Sequence, residues 1–152
     1  MNAATASLLI WGQALLETSS RFGVLANWNW YRERLPCGCV DQTFIGDVNL
    51  TYRFAQSECA EMRVGLGARV LTDSALTDWG VNVHYGADIF PVRPLVLSGA
   101  VDFGNLGSAF VVHTRASAGV LYRGWELFAG YDFLRVGCVN LQGPLVGLRF
   151  WF

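Results

Sequence analysis

The stretch TFIGDVNLTYRF, residues Thr43–Phe54, changes character from one residue to the next. Its even positions are apolar or glycine, whereas its odd positions are polar or charged apart from Ile45. Successive side chains of a β-strand point to opposite faces of the sheet, so a period of two predicts a strand with one apolar face.

The same period of two recurs in seven further segments of the chain. They are Phe22–Tyr31, Glu61–Thr72, Trp79–Phe90, Leu95–Gly104, Ala109–Tyr122, Trp125–Arg135 and Pro144–Phe152. Each segment is about long enough to cross a bilayer when the strand is tilted. The pattern therefore predicts eight strands.

Eleven charged residues and both histidines of these eight segments fall on a single face. They are Asp47, Arg53, Glu61, Arg63, Arg69, His84, Asp88, Asp102, His113, Arg115, Glu126, Asp132 and Arg149. A register error of one residue would scatter them over both faces. Burying such charges singly costs several kcal/mol each, whereas mutual pairing largely offsets that cost. The polar face is therefore expected to line a narrow lumen filled by ion pairs.

Composition separates this chain from an ordinary soluble domain. Of its 152 residues 53% are hydrophobic and only 15% are charged, against about 25% charged in soluble domains. The net charge is −1 and all 11 basic residues are arginine, so there is no basic surplus to bind nucleic acid. No run approaches the roughly 18 to 20 apolar residues of a transmembrane helix. Two classes of protein therefore remain: a membrane β-barrel and a soluble β protein with an unusually apolar sequence.

Aromatic residues of the apolar face collect near the strand ends and leave aliphatic residues between them. One end has Phe22, Tyr52, Phe54, Tyr122, Trp125, Phe150 and Phe152, and the other has Trp28, Trp30, Phe44, Trp79, Phe103, Phe110, Tyr131 and Phe133. Two such girdles are typical of membrane barrels. The alternative is a soluble lipocalin-like carrier. Such a protein would have the opposite polarity to a membrane barrel, with its polar face in water.

The chain ending, Leu145–Phe152, resembles the C-terminal signal of small, eight-stranded bacterial outer-membrane β-barrels. Gly147, Phe150 and Phe152 match that signal, whereas Leu145 stands where the pattern usually has a polar residue. The resemblance implies location in the outer membrane, contact with its lipid and insertion by the barrel-assembly machinery. The fold expected is an all-β, up-and-down antiparallel transmembrane barrel over 21–152. Its expected role is structural or interaction-based, with no cofactor.

The first 20 residues fit this pattern less well. They show no standard signal peptide, and residues 8–18 are open to three interpretations: a short helix, a disordered arm, or another strand hairpinned through Ser19-Ser20-Arg21. Bacterial single-chain barrels usually have an even number of strands. A ninth strand would therefore suggest a tenth one upstream, and a narrow, porin-like solute channel would then become more plausible.

Loop lengths and cysteines give two further expectations. The connections Arg32–Gln42, Asp73–Asp78, Asn105–Ser108 and Val136–Gly143 are mostly longer than those at 55–60, 91–94 and 123–124, which would put the longer set outside the cell. Barrel closure would bring Cys138 near Cys37 or Cys39, so a disulfide is geometrically reasonable. A metal site on the same three cysteines is the alternative, although their spacing is not that of paired zinc ligands. Free thiols are a third interpretation.

A few polar residues raise the question of catalysis. His113, Ser117 and Glu126 share the inward face of neighbouring strands, which loosely suggests a lipid hydrolase. His84 and Asp88 also share one face, but about 13 Å of strand separates their backbones. A hydrogen-bonded lumen explains all five residues equally well, so the hydrolase remains an alternative.

Overall fold

The strands form one continuous antiparallel sheet that curls into a nearly closed barrel. The computed structural model describes residues 4–5, 8–34 and 37–150, with side chains described for 10–32 and 37–150. The strands are β1 (Ala4–Thr5), β2 (Leu8–Glu17), β3 (Phe22–Arg34), β4 (Val40–Gln56), β5 (Ala60–Thr72), β6 (Thr77–Ile89), β7 (Leu95–Leu106), β8 (Ala109–Tyr122), β9 (Trp125–Val136) and β10 (Val139–Phe150). None of the described residues forms a helix of the length and hydropathy needed to cross a bilayer.

Nine strands, β2 to β10, make the wall of the barrel, and each pairs with the next along the chain. With nine alternating strands the first and the last run in the same direction. The only paired residues across that seam belong to the two-residue β1, where Ala4 and Thr5 pair in parallel with Leu141 and Gln142 of β10, as far as the described residues extend. The predicted count of eight strands is therefore wrong by one.

All eight predicted strands are present, and most of their ends differ from the prediction by one to three residues. The largest difference is at the start of the last strand, which begins at Val139 and not at Pro144. Residues 8–17 form the ninth strand, which pairs with β3 from Leu8–Arg32 to Glu17–Gly23, so the helix interpretation of this segment is wrong.

The predicted long loop Val136–Gly143 is also wrong. Its place is taken by a two-residue turn at Gly137 and Cys138, where Gly137 has φ 57°. A left-handed φ of this kind suits glycine, which has no Cβ to clash. The connection between β7 and β8 is likewise reduced to Gly107-Ser108. The difference in loop length between the two ends therefore largely disappears.

We name the two ends of the barrel after the strands of its wall. The N-terminal rim is the end at which β2 begins, and the C-terminal rim is the end at which β10 ends. The C-terminal rim has the turns 18–21, 57–59, 90–94 and 123–124, and the N-terminal rim has 37–39, 73–76, 107–108 and 137–138. At the C-terminal rim, backbone hydrogen bonds run from Arg53 N to Arg21 O at 2.9 Å and from Leu121 N to Pro94 O at 2.8 Å. These bonds tie the turns to neighbouring strands and fix the shape of that rim.

The outer wall is apolar over most of its height. Leu50, Leu66 and Val146 are each more than 60% exposed. Aromatic pairs lie toward both rims, with Phe22 and Tyr52 at 5.1 Å and Trp125 and Phe150 at 4.8 Å between ring centroids near the C-terminal rim, and Trp30 and Phe44 at 5.9 Å near the other. Among the described strand side chains, only Arg32 and Arg135 are charged and face outward.

The interior is not uniformly polar. Near the N-terminal rim, a cluster of Tyr31, Ile45, Leu106, Val111 and Leu134 is almost completely buried. Its members come from five different strands. This apolar layer closes that end of the lumen, and the charged side chains lie between it and the C-terminal rim.

Candidate functional site

The structure places all thirteen polar-face residues singled out by the sequence on the interior of the barrel, where every one is at least partly buried. Glu17 of β2 joins them. We divide these fourteen side chains into two groups. The aspartate–histidine cluster is Asp47, Arg69, His84, Asp102, His113, Arg115 and Asp132. The glutamate–arginine cluster is Glu17, Arg53, Glu61, Arg63, Asp88, Glu126 and Arg149.

Asp132 is the centre of one half of the aspartate–histidine cluster. Its Oδ1 accepts hydrogen bonds from His113 Nε2 at 2.7 Å and Arg115 Nε at 3.0 Å, and its Oδ2 accepts one from the Tyr31 hydroxyl at 2.8 Å. Arg115 also donates to Asn29 Oδ1 at 3.2 Å. The carboxylate is fully buried, so these donors replace the water that it loses.

Asp47 and Asp102 form the other half of this cluster around Arg69. The Nη2 atom of Arg69 lies 3.4 Å from Asp47 and 3.8 Å from Asp102. His84 donates from Nδ1 to Asp102 Oδ1 at 2.7 Å, since a carboxylate only accepts. The amides of Asn27 and Asn49 each donate to Asp47 at 2.8 Å. The cluster thus links strands β3 to β9.

The glutamate–arginine cluster lies toward the C-terminal rim. Arg63 is paired with Asp88 at 2.7 Å and with Glu61 at 2.8 Å. Arg53 is paired with Glu17 at 2.9 Å. Arg149 donates to Glu126 at 3.2 Å and to the hydroxyl of Ser98 at 3.1 Å. Ser98 in turn donates to Asp88 at 2.5 Å.

Trp11 of β2 lies inside the barrel between the two clusters. Its ring packs edge-on against Phe128 at 4.9 Å, with Leu145 completing this apolar contact. The guanidinium of Arg115 lies 4.3 Å from the Trp11 ring centroid and that of Arg149 lies 5.8 Å from it. Neither Trp11 nor Glu17 was predicted as an interior residue, because residues 8–18 were left open between a helix, an arm and a strand.

The lumen is nearly filled by these side chains. An internal cavity of about 30 Å³ remains between the clusters, bordered by residues such as Gln13, Arg63, Ser117 and Arg149. A cavity needs about 10–15 Å³ for each water molecule, so this one has room for about two. Together with the apolar layer near the N-terminal rim, the side chains described here leave little space for a solute path.

The three residues considered for a hydrolase are not brought together. His113 donates to Asp132, whereas Glu126 is bound by Arg149 from β10. Ser117 is buried, and it borders the internal cavity. His84 and Asp88 also have different partners, Asp102 and Arg63. The arrangement is that of ion pairs and hydrogen bonds, without a nucleophile activated by a base.

The cysteines Cys37, Cys39, Cys59 and Cys138 are free and exposed. The expected disulfide from Cys138 to Cys37 or Cys39 is not formed, because the turn after β3 and the turn after β9 are separated by β2 and β10 around the barrel. The Cys39 thiol donates a hydrogen bond that lowers the pKa of Cys37 and raises its own pKa. In the described part of the chain, no group of three His, Cys, Asp or Glu side chains is arranged to hold a metal ion.

The residues that resemble an assembly signal lie on the last strand. Phe150 faces outward against Trp125, and Gly147 faces inward. A Cβ on Gly147 would lie 2.6 Å from the Phe128 ring, so this position needs glycine for packing alone. Leu145 also points inward, where it is buried against Trp11 and Phe128. Phe152 lies outside the described residues.

These features define the chain as a nine-stranded, nearly closed antiparallel β-barrel with an apolar outer wall and an ion-paired interior. Comparison with known proteins adds no family, since no family model, curated protein or solved structure matches it.

Proposed function

We propose that this protein is a membrane-embedded β-barrel of the bacterial outer membrane, with a structural or interaction role. On this proposal lipid surrounds the apolar wall, and the interior ion pairs hold the strands together. The C-terminal residues Gly147, Phe150 and Phe152 would serve as the signal that the barrel-assembly machinery recognises. The proposed localisation and this partner rest on the resemblance described above.

The observation that carries the proposal is the inverted distribution of polarity. Arg69, Glu126 and Asp132 are almost fully buried inside the barrel, whereas Val48, Leu66 and Val146 are 56–67% exposed on its outside. Monomeric soluble proteins rarely expose apolar patches larger than a few hundred Å². In lipid the same wall is favourable, and a nearly closed barrel satisfies most of its backbone hydrogen bonds internally.

The interior favours a structural role over the alternatives. A solute channel would need a continuous passage, yet the internal cavity measures only about 30 Å³. A lipocalin-like carrier would need a dry central pocket, but charged groups occupy the centre here. A hydrolase would need Ser117 beside His113, yet the two residues lie four positions apart on β8, with about 13 Å of strand between their backbones.

Site-directed nitroxide labelling tests the proposal. The four exposed cysteines are replaced by serine, and single cysteines are introduced on the outer wall at Val83 or Leu127. In lipid vesicles both labels should collide often with oxygen, which concentrates in the bilayer, and rarely with a water-soluble nickel chelate. A matched control retains only Cys37, which lies on the N-terminal rim. A label on Cys37 should collide rarely with oxygen and often with the nickel chelate.

Frequent collision of the wall labels with the nickel chelate would contradict the membrane proposal and would favour the soluble carrier. Planar-bilayer recordings address the channel alternative separately. A filled lumen predicts no steady conductance, whereas a reproducible open state would require a solute path that the side chains described here do not provide.

A further inference from the structure

The two rims of the barrel differ in the charges that they carry. The C-terminal rim presents the exposed side chains of Arg21, Arg93 and Arg123, each from a different turn, against the exposed carboxylates of Glu58 and of Glu17, the latter paired with Arg53. On the N-terminal rim the balance of charge is reversed. The charged side chains described there are three carboxylates, Asp41, Asp73 and Asp78, and two arginines, Arg32 and Arg135. The barrel therefore has a basic end.

These rim arginines differ from those of the interior in their partners. Arg53, Arg63, Arg69, Arg115 and Arg149 all lie within 4.0 Å of a carboxylate. None of the three rim arginines lies that close to a described carboxylate. Arg123 instead lies over the ring of Tyr122, 5.4 Å from its centroid. The rim guanidinium groups thus remain available to an anion from outside the chain.

Backbone conformation at the turns supports a role for these side chains. Arg21 has φ 69° and Arg123 has φ 49°, and they are the two non-glycine residues with positive φ in the described chain. Glycine fills such positions on the other rim at Gly38, Gly107 and Gly137, and on the C-terminal rim at Gly124. A residue held in this region often marks a functional site. Both exceptions are arginines at the basic end.

A cavity of about 470 Å³ opens at the same rim between two of these arginines. Arg93 and Arg123 border it together with Glu58 and with Glu61, which is paired with Arg63, and the apolar side chains of Leu95, Val96 and Leu121 line it as well. Its size falls within the range of about 300–1,000 Å³ typical of small-ligand sites. An anionic group entering this cavity would meet its favourable partners at Arg93 and Arg123, which have no described carboxylate within 4.0 Å.

We infer that the C-terminal rim binds the phosphate groups of anionic glycerophospholipids. Guanidinium groups bind phosphate oxygens through paired hydrogen bonds, and the rim lies directly beyond the aromatic residues Tyr52, Tyr122 and Trp125. At that level the phosphate lies near Arg93 and Arg123 at the mouth of the cavity, while the acyl chains stay against the outer wall. This inference rests on the proposed membrane location, and it adds a lipid preference that the location alone does not require.

Quenching of tryptophan fluorescence by brominated lipids tests the inference. Vesicles of phosphatidylcholine receive an equal fraction of brominated phosphatidylcholine or brominated phosphatidylglycerol, and the ratio of quenching gives the relative association constant. Trp125 follows the Arg123 turn closely and reports on this rim. We expect at least about a twofold preference for phosphatidylglycerol at low salt, which weakens as salt screens the charges.

The rim variant combines Arg21→Asn, Arg93→Gln and Arg123→Asn. Asparagine is used at the two positive-φ positions because it tolerates that conformation. The ratio should fall to about one in this variant. A control variant, Arg32→Gln with Arg135→Gln, removes two arginines from the other rim and should keep the wild-type ratio. Arg93→Gln alone provides a second test if the triple variant does not fold, and it should lose part of the preference.

A wild-type ratio of one, or an unchanged ratio in the folded rim variant, would overturn the inference. Either result leaves the membrane proposal intact, because brominated phosphatidylcholine would still quench the wall tryptophans. The membrane proposal itself fails on a different result, namely that neither brominated lipid quenches the fluorescence.

Discussion

The imidazole of His113 donates to the carboxylate of Asp132 across two neighbouring strands, with 2.7 Å between Nε2 and Oδ1. The same carboxylate binds Arg115 and Tyr31, so a single buried side chain joins β3, β8 and β9. Seven carboxylates, five guanidinium groups and two imidazoles lie in the two interior clusters. The acids therefore outnumber the arginines, and neutral or histidine side chains such as His113, Tyr31 and Asn27 supply further donors.

Asp132→Asn should destabilise the barrel strongly. The substitution keeps the size of the side chain but leaves Arg115 buried without its carboxylate, and breaking a buried ion pair costs about 3–5 kcal/mol. Urea titration of vesicle-reconstituted protein, followed by tryptophan fluorescence, gives the free energy of unfolding. Glu58→Gln is the control, since Glu58 is exposed on the C-terminal rim and should change stability by less than about 0.5 kcal/mol. Equal effects of the two substitutions would refute a supporting role for Asp132.

Much of this cluster could be predicted from the period-two pattern, because the face on which a strand residue lies depends only on its parity. Parity placed Asp132 and His113 on the same face, and composition and the aromatic girdles assigned that face to the inside. Their pairing could not be predicted, since the partners of a strand residue depend on the stagger between strands. Trp11 and Glu17 were missed for a different reason: the residues around them alternate poorly, as Leu15 and Leu16 are both apolar. The turn at Gly137 was hidden by the polar residues Asn140 and Gln142, which suggested a loop.

Gly80→Ala should be far more costly than Gly99→Ala. A Cβ on Gly80 would lie 1.5 Å from the carbonyl oxygen of Asn105 on the neighbouring strand, so the backbones would have to separate. Overpacking of this kind costs about 1–3 kcal/mol. Gly99 faces outward with nothing within 4 Å of its Cβ position, and alanine there should be neutral or stabilise by about 0.4–1 kcal/mol. The two free energies of unfolding, measured in the same vesicles, check this difference, and a neutral Gly80→Ala would contradict it.

Trp11→Ala should loosen the seam between β2 and β10. The Trp11 side chain joins β2 to Phe128 of β9 and Leu145 of β10 from the inside, whereas the backbone pairing across the seam is confined to Ala4 and Thr5 among the described residues. Loss of a buried tryptophan costs about 3–5 kcal/mol. Hydrogen exchange measured by mass spectrometry should show faster exchange in the peptides of β2 than in those of β6. Trp79→Ala is the matched control, because Trp79 is 69% exposed on the outer wall, and uniform acceleration in both variants would argue against a local role at the seam.

Cys37 should be alkylated at a lower pH than it is in a Cys39→Ala variant. The hydrogen bond from the Cys39 thiol stabilises the Cys37 thiolate and lowers its pKa, and the thiolate is the form that reacts. Because a lower pKa means that the thiolate appears sooner as the pH rises, the wild-type rate of reaction with iodoacetamide should reach half its maximum at a lower pH. Peptide mapping of the reduced protein by mass spectrometry follows Cys37 separately from the other thiols. Cys138→Ala is the control on the same rim and should leave the Cys37 profile unchanged. A Cys37 profile that does not move when Cys39 is replaced would show that the hydrogen bond between the two thiols is absent in solution.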